Sequence, residues 1–345
     1  MNYPTIRVQA SKSGHIQGIA FDKAGGFMYC SFTTVLMKID MKGNVVGTVD
    51  GIVGHLGCIS FDENTRRVYG SLEYKNDIIG RHILKAQNSQ VAFSDSFYIV
   101  YFDVDKIDRI AMNAENDGIM KAIYLKDVVT DYMQENHRYG CSGIDGVTFA
   151  PDVERQSNKN FLYVAYGIYS DNERCDNDYQ VILKYDTEGW DRYATSLCQD
   201  DLHTFGPARY DEKYFVYTGN TTYGIQNIEY DSYTNGIFAA VYKGKKPEFE
   251  NYSLFMIDLN EKPRLEMLKG MNEQGKVLSL KKLGNYDEKN RIYGWNFQLG
   301  TTGMASLGDG FFYFSNDWRE NDIFGTVISP YCWNGKTPFI PIENN

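Results

Sequence analysis

Three acidic residues stand at or beside a phrase that keeps returning along the chain. Asp145 lies directly before Gly146 at the head of one copy, Glu229 sits inside another, and Glu73 closes the run that follows a third. At the position of Glu229 the other copies carry Ala20, Ser60, Thr148 or Ala305. A carboxylate in such a small-residue place is costly to bury alone, so it must face a cation, a base or water. Oxygen donors drawn from separate segments suit Ca²⁺ or Mg²⁺, and Zn²⁺ less well. Glu73, Asp145 and Asn227 are the candidate ligands for one divalent cation; with no ion, the same atoms make a polar channel lining.

His15 and His55 hold matching places, three residues before Gly18 and Cys58. With an ordinary imidazole pKa either could pass a proton, and Glu229 would be the general base if neither faces the channel. These three are the candidate catalytic residues. Tyr74, Tyr169, Tyr223 and Trp318 offer flat rings to a ligand. Each feature also has a plainer explanation: a histidine that caps a strand, a ring that packs its own loop. Neither His-Glu-x-x-His nor Gly-x-Ser-x-Gly occurs, so motifs support neither a zinc hydrolase nor a serine nucleophile. A carboxylate pair for sugar hydrolysis stays open, since its outcome depends on a separation that spacing does not provide.

The elements that would position these groups follow from the phrase itself. It reads Gln17-Gly18-Ile19-Ala20-Phe21-Asp22, then Gly57-Cys58-Ile59-Ser60-Phe61-Asp62, Asp145-Gly146-Val147-Thr148-Phe149-Ala150, Gln226-Asn227-Ile228-Glu229-Tyr230-Asp231 and, more weakly, Thr302-Gly303-Met304-Ala305-Ser306-Leu307. A second strand-like run follows each copy after a gap rich in Asp, Asn, Lys and Gly, as hairpins require. A second motif, an apolar strand ending in Asp, keeps step with the first at Ile39-Asp40, Phe102-Asp103, Tyr185-Asp186 and Ile257-Asp258. The pattern predicts an all-β fold, a single-domain β-propeller. Five blades are expected, over about 14–50, 57–125, 143–218, 224–297 and 300–345, with six as the alternative if 279–297 forms its own. A strand over residues 5–10 should close the last blade and remove an exposed edge. Helical spacing within 125–136 predicts one short helix. In four-stranded blades, the loops before the opening strand and after the second strand emerge together. The inserts at 74–92, 168–180, 243–253 and 317–324 therefore crowd one face with His15, His55 and Tyr223, and that face is the candidate site.

Composition narrows the partners. The chain has 345 residues, a formal net charge of −10 and 27 Tyr with 20 Phe, a balance suited to broad sheets and unsuited to nucleic acid or anionic membrane. No apolar run is long enough to span a membrane, so no membrane insertion is expected. The first ten residues lack the apolar core of a leader, which points to the cytoplasm, or to export if a leader has been removed. The six cysteines include no Cys-x-x-Cys and are read as free thiols, Cys175 with Cys198 being the pair to consider in an oxidising compartment.

The opening phrase at Gln17 to Asp22 with Met28-Tyr29, and Ile39-Asp40 followed by Gly43, resembles the broad superfamily of NHL, YVTN and gluconolactonase-like β-propellers. The resemblance spans most of the chain and concerns the fold. Its gluconolactonase-like members are metal-dependent hydrolases, typically six-bladed, whose central cation is held by Glu, Asn and Asp from different blades. Glu73, Asp145 and Asn227 are the nearest matches in type; other members are binding or scaffold proteins. The expected function is accordingly a ligand-binding or accessory protein that takes a small molecule, glycan or protein at the loop-rich face. The alternative is a divalent-cation-dependent hydrolase of a lactone, ester or sugar derivative.

Overall fold

The structure is a computed structural model that describes residues 3–11, 14–91, 94–321 and 323–343. Strands hold 48% of the chain and helices 7%, so the fold class is all-β, as expected. Each recurring phrase lies in a strand: Ile16–Asp22, His55–Asp62, Cys141–Pro151, Thr222–Asp231 and Met304–Ser306. Each pairs antiparallel with the run that follows it, Phe27–Phe32, Arg67–Tyr74, Asn160–Ile168, Gly236–Tyr242 and Phe311–Glu320.

The Asp that ends these phrases makes the turn. Asp22 Oδ1 accepts from the Gly25 amide at 2.7 Å, Asp62 Oδ1 from Asn64 at 3.1 Å and Asp231 Oδ2 from Thr234 at 2.8 Å. The second motif works the same way, with Asp40 on Lys42, Asp186 on Glu188 and Asp258 on Asn260. A short side chain that binds the backbone two or three residues on mimics a turn of main chain. Recurrence of Asp therefore has a local cause, separate from any chemistry at Asp145.

The five opening strands touch one another in cyclic order: Ile16–Asp22 meets His55–Asp62, then Cys141–Pro151, Thr222–Asp231, Met304–Ser306 and Ile16–Asp22 again. Their approach explains the recurring glycine, since a Cβ on Gly18 would lie 2.9 Å from the Ile59 nitrogen and one on Gly303 3.0 Å from the Ile19 nitrogen. Side chains bolt the seams. Ser31 Oγ donates to Gly57 O at 2.7 Å, Ser71 Oγ to Asp145 O at 3.0 Å, and the Ser306 amide to Glu229 Oε1 at 2.8 Å.

Outside this ring the sheets continue through Val35–Asp40, Ser96–Asp103, Tyr179–Tyr185, Leu254–Asp258 and Ile323–Trp333. The strand Ile6–Ser11 pairs antiparallel with Ile323–Trp333, Ile6 opposite Ile328 and Ser11 opposite Ile323, so the two ends of the chain share a sheet. Long connections patch neighbouring sheets: Met112–Asn113 runs parallel to Val45–Asp50, and Gln274–Val277 parallel to Glu212–Tyr217. The segment 279–297 forms the hairpin of Asn285–Asp287 with Ile292–Gly294 and is bridged to the fourth sheet by Leu254 with Trp295 and Ile257 with Leu280. The helix expected within 125–136 is Lys126–Tyr132, and its Val128 and Tyr132 are buried in the core. A second helix, Ile78–Ala86, starts on an Asp77 cap that accepts from Gly80 N at 2.8 Å. It fills much of the insert at 74–92, whose residue 92 lies outside the described residues. All six cysteines are free, three of them buried.

Candidate functional site at the loop-rich mouth of the strand ring

At one end of the ring a cavity of about 420 Å³ draws its walls from four sheets. Gln17, Asp145 and Gln226 occupy the same place in three opening phrases and stand in the wall, with His15, His55, Glu73, Lys75, Tyr169, Tyr223 and Tyr242 around them.

Glu73 is its most constrained group. It is 3% exposed, at the end of Arg67–Tyr74. Oε1 accepts from the Ile144 amide at 2.6 Å; Oε2 lies 2.8 Å from Lys75 Nζ and 3.8 Å from His55 Nδ1. Lys75 also donates to Ser142 O at 3.0 Å. The carboxylate fits only because residue 143 is glycine: its φ is +126°, and a Cβ there would fall 1.8 Å from Glu73 Oε1.

Burial raises the Glu73 pKa, while the Lys75 charge, its hydrogen bond and the Ile144 amide pull it down. Burial works against the Lys75 charge, but Glu73 and Asp145 outweigh it and hold Lys75 protonated. Asp145 is pushed well above the carboxylate range, first by burial and then by the Glu73 charge. Burial and the neighbouring carboxylate thus both favour the protonated form of Asp145. Its Oδ2 accepts from Gln226 Nε2 at 3.4 Å.

His55 is pushed down to about 3 by burial, with the Lys75 and His15 charges adding to it. It is a neutral ring at physiological pH and, with so low a value, a weak base there. His15, exposed at the mouth, is also lowered by desolvation, opposed by Asp317, and lies 3.1 Å from Gln17 Nε2 through its own Nε2.

Four expected participants lie elsewhere, Glu229, Tyr74, Trp318 and Asn227. Glu229 lines a second cavity, also about 420 Å³, with Ala20, Ser60 and Thr148 from the fourth place of the phrases and with Ser306. It therefore does not share a site with His15 and His55. Tyr74 is fully buried in the core, its hydroxyl 2.9 Å from Gln199 Oε1, and is not in the cavity wall. Trp318 carries the Arg7 guanidinium 4.6 Å above its ring and is also outside that wall. Tyr169 and Tyr223 do line the cavity.

Asn227 is a tether. It replaces the glycine of the phrase, and its Nδ2 donates at 2.9 Å to both Gln17 O and Thr301 O, binding three sheets together. It does not line the cavity. The group with ligand atoms close enough for one ion is instead His55, Glu73 and Asp145, all within 4.8 Å of one another. One nitrogen and two carboxylate oxygens are a reasonable donor set for a divalent cation. Lys75, however, already supplies the positive charge at Glu73.

The sequence reading missed Lys75 and Tyr242. Lys75 had a signal: on a strand, residues two apart share a face, so Glu73 and Lys75 were candidates for a pair. Tyr242 had none, because it belongs to the site only through its place opposite Thr222 across a strand pair.

No family model matches the chain, and no curated protein matches it. Among solved structures it is similar to the soluble aldose sugar dehydrogenase from Escherichia coli in the apo-form, at 9% identity and a TM-score of 0.39, over 93% of this chain and 97% of that one. It is also similar to the iodide structure of a Trichoderma reesei carbohydrate-active enzyme of family AA12, at 11% identity and a TM-score of 0.39, over 90% and 80%. At that distance, function must be read from this chain's own residues.

Proposed function

We propose that the chain is a five-bladed β-propeller that binds a small, neutral, hydroxyl-rich molecule of the sugar class at the loop-rich mouth of its axial channel. The cyclic contact of five opening strands, with no sixth among the described residues, supports the blade number. The observation that carries the ligand class is the charge state of the cavity wall. Lys75 offsets Glu73, His55 is neutral, and burial favours the protonated form of Asp145. Asp77 is the further acid of the wall, and its carboxylate caps the helix Ile78–Ala86 by accepting from Gly80 N, so the wall offers many donors and acceptors. A neutral polyol replaces the hydrogen bonds of water there without bringing an uncompensated ion into a buried site. Tyr169, Tyr223 and Tyr242 add flat apolar faces of the kind that stack on sugar rings.

The test is a binding screen of neutral monosaccharides, polyols and lactones by thermal shift and calorimetry, with Asp145→Asn and Tyr223→Ala beside the native chain. Binding of a neutral member, weakened by either substitution, supports the reading; binding of charged metabolites alone overturns it.

A second reading is the divalent-cation-dependent hydrolase of a lactone, ester or sugar derivative, favoured by the 4.8 Å grouping of His55, Glu73 and Asp145. Those three residues would hold the ion, which when bound polarises a carbonyl or acidifies a water. Its entry must displace Lys75 from Glu73 and remove the Asp145 proton, so uptake should strengthen as pH rises. Elemental analysis of protein purified without a metal-affinity step should then find about one ion per chain, the ordinary stoichiometry of such a site. A melting temperature that responds to neither chelator nor added Ca²⁺, Mg²⁺ or Zn²⁺ excludes this reading.

A further inference from the structure

The axial cavity has a neighbour. Tyr169 stands in its wall and also in the wall of a second hollow of about 570 Å³, bounded by Asn136, His137, Asp171, Arg174 and Asp176. The partition is held firmly: the Tyr169 amide donates to Gly140 O at 2.8 Å, and its carbonyl accepts from Asn220 Nδ2 at 3.3 Å and Asn177 Nδ2 at 3.4 Å.

The far side of the hollow is strained. Asn136, His137 and Tyr139 have φ of +61°, +53° and +57°, three left-handed non-glycine residues within four positions. His137, with ψ 101°, lies outside even the compact left-handed basin. Such backbone persists only where its surroundings over-determine it, and it gathers where a ligand is gripped. Arg174 does the holding here: its guanidinium donates to the carbonyls of Asn136 and His137, while Asp176 fixes it through contacts of 2.8 and 2.9 Å. The His137 ring is thereby set 5.0 Å from the Tyr169 ring. Its Nδ1 lies 2.6 Å from Tyr132 O, and because a carbonyl only accepts, Nδ1 carries a proton and is tied up by that bond, which leaves Nε2 as the other polar edge of the ring.

We infer that this hollow is a second subsite, so that the ligand is a linear neutral oligosaccharide that crosses Tyr169, one unit in the axial cavity and the next against His137. This rests on the sugar-class reading of the axial cavity. The strain is then the cost of presenting the polar Nε2 edge of an imidazole at a fixed distance from the Tyr169 platform.

The experiment measures binding of neutral linear oligosaccharides of one to six units, first on a printed array and then by calorimetry on the series that binds. Affinity should rise about ten-fold or more between one unit and three, the size of one added favourable contact set. The variant His137→Gly removes the imidazole at a position where glycine accepts the positive φ without strain, so the fold should survive. It should abolish the gain from chain length and leave single-unit binding within about two-fold, a change below 0.5 kcal/mol on the same scale. Tyr169→Ala should weaken both. Equal affinity for one unit and for longer chains, or a gain that survives His137→Gly, overturns the subsite and leaves the axial reading standing. No binding at any length overturns both.

Discussion

The two mouths of the strand ring are built from the same phrase and have diverged in chemistry. At the loop-rich mouth, the first phrase position supplies Gln17, Asp145 and Gln226; at the other, the fourth position supplies Ala20, Ser60, Thr148 and Glu229. Each mouth holds a carboxyl whose pKa is raised by burial. Asp145 meets a second carboxylate, a lysine and a neutral histidine, whereas Glu229 meets a backbone amide, the Thr148 hydroxyl and the Asp231 charge, with no basic group beside it among the described residues. Loop length accounts for the difference. Lys75 and Tyr169 enter from the long segments that follow second strands, while the opposite mouth is edged by tight Asp-headed turns that bring Glu63, Asn64 and Ser232 to its wall but no basic residue among those described. A buried acid becomes a candidate site when loops bring it a partner of opposite charge; otherwise it is a seam between sheets.

The largest effect expected from disturbing this contrast is that of Glu73→Gln. It leaves the Lys75 ammonium buried without its carboxylate, which should cost about 3–5 kcal/mol in denaturant unfolding and abolish ligand binding. A loss no greater than that of an ordinary surface substitution would mean that the Glu73–Lys75 pair is not the core of the mouth. Asn227→Ala should come next. It strips the Gln17 and Thr301 carbonyls of their donor and should cost about 2 kcal/mol, with ligand affinity at the cavity unchanged. A selective loss of cation or ligand binding would return Asn227 to the site.

The pH dependence separates Glu229 from His55 by sign. Glu229 is raised to about 8, chiefly by burial with Asp231 adding, against 4.5 for the free group. The folded state therefore holds a proton that the unfolded chain releases. Its stabilisation is complete below pH 4.5 and is lost as pH rises through about 8. His55 does the reverse. Lowered to about 3 from 6.5, it is neutral when folded and takes a proton when unfolded, so its contribution is lost as pH falls from 6.5 toward 3. Stability profiles should show Glu229→Gln flattening the decline between about pH 4.5 and 8, by a slope of up to about 1.4 kcal/mol per pH unit. An unchanged slope across that window in Glu229→Gln would place that proton elsewhere.

The smallest structural effect belongs to Tyr223→Ala. The ring is 53% exposed, and its removal should change stability by less than about 0.5 kcal/mol. If the Tyr faces take part in stacking, affinity for a neutral sugar should fall about ten-fold all the same. Unchanged affinity would shift the stacking role to Tyr169 and Tyr242.

Much of the scaffold was legible because it is written locally. A phrase, a turn-forming Asp and a second strand lie within a few residues of one another, so hairpin pairing and Asx-type turns suffice to read Ile16–Asp22 with Phe27–Phe32, or His55–Asp62 with Arg67–Tyr74. The site was legible in part. Glu73, Asp145, His15, His55, Tyr169 and Tyr223 do converge, because their place relative to the phrase selects the mouth they face. Tyr74 was misplaced by one position: successive side chains on a strand point to opposite faces, so with Glu73 at the cavity Tyr74 must enter the core. Glu229 was misplaced along the strand, three residues beyond the level of Gln226, at the other end of the channel.

By itself the sequence determined the strand segments, their turns, the glycines that let opening strands approach, and the face on which the long loops gather. Only the tertiary structure decided that Lys75 pairs with Glu73, that burial favours the protonated form of Asp145, that His55 is held neutral, and that Asn227 Nδ2 ties the carbonyls of Gln17 and Thr301 together. The reason is physical. Strand pairing is decided between residues near in the chain, whereas charge state depends on burial and on partners such as Ser142, Gln226 and Thr301 that closure of the ring brings in from far along it.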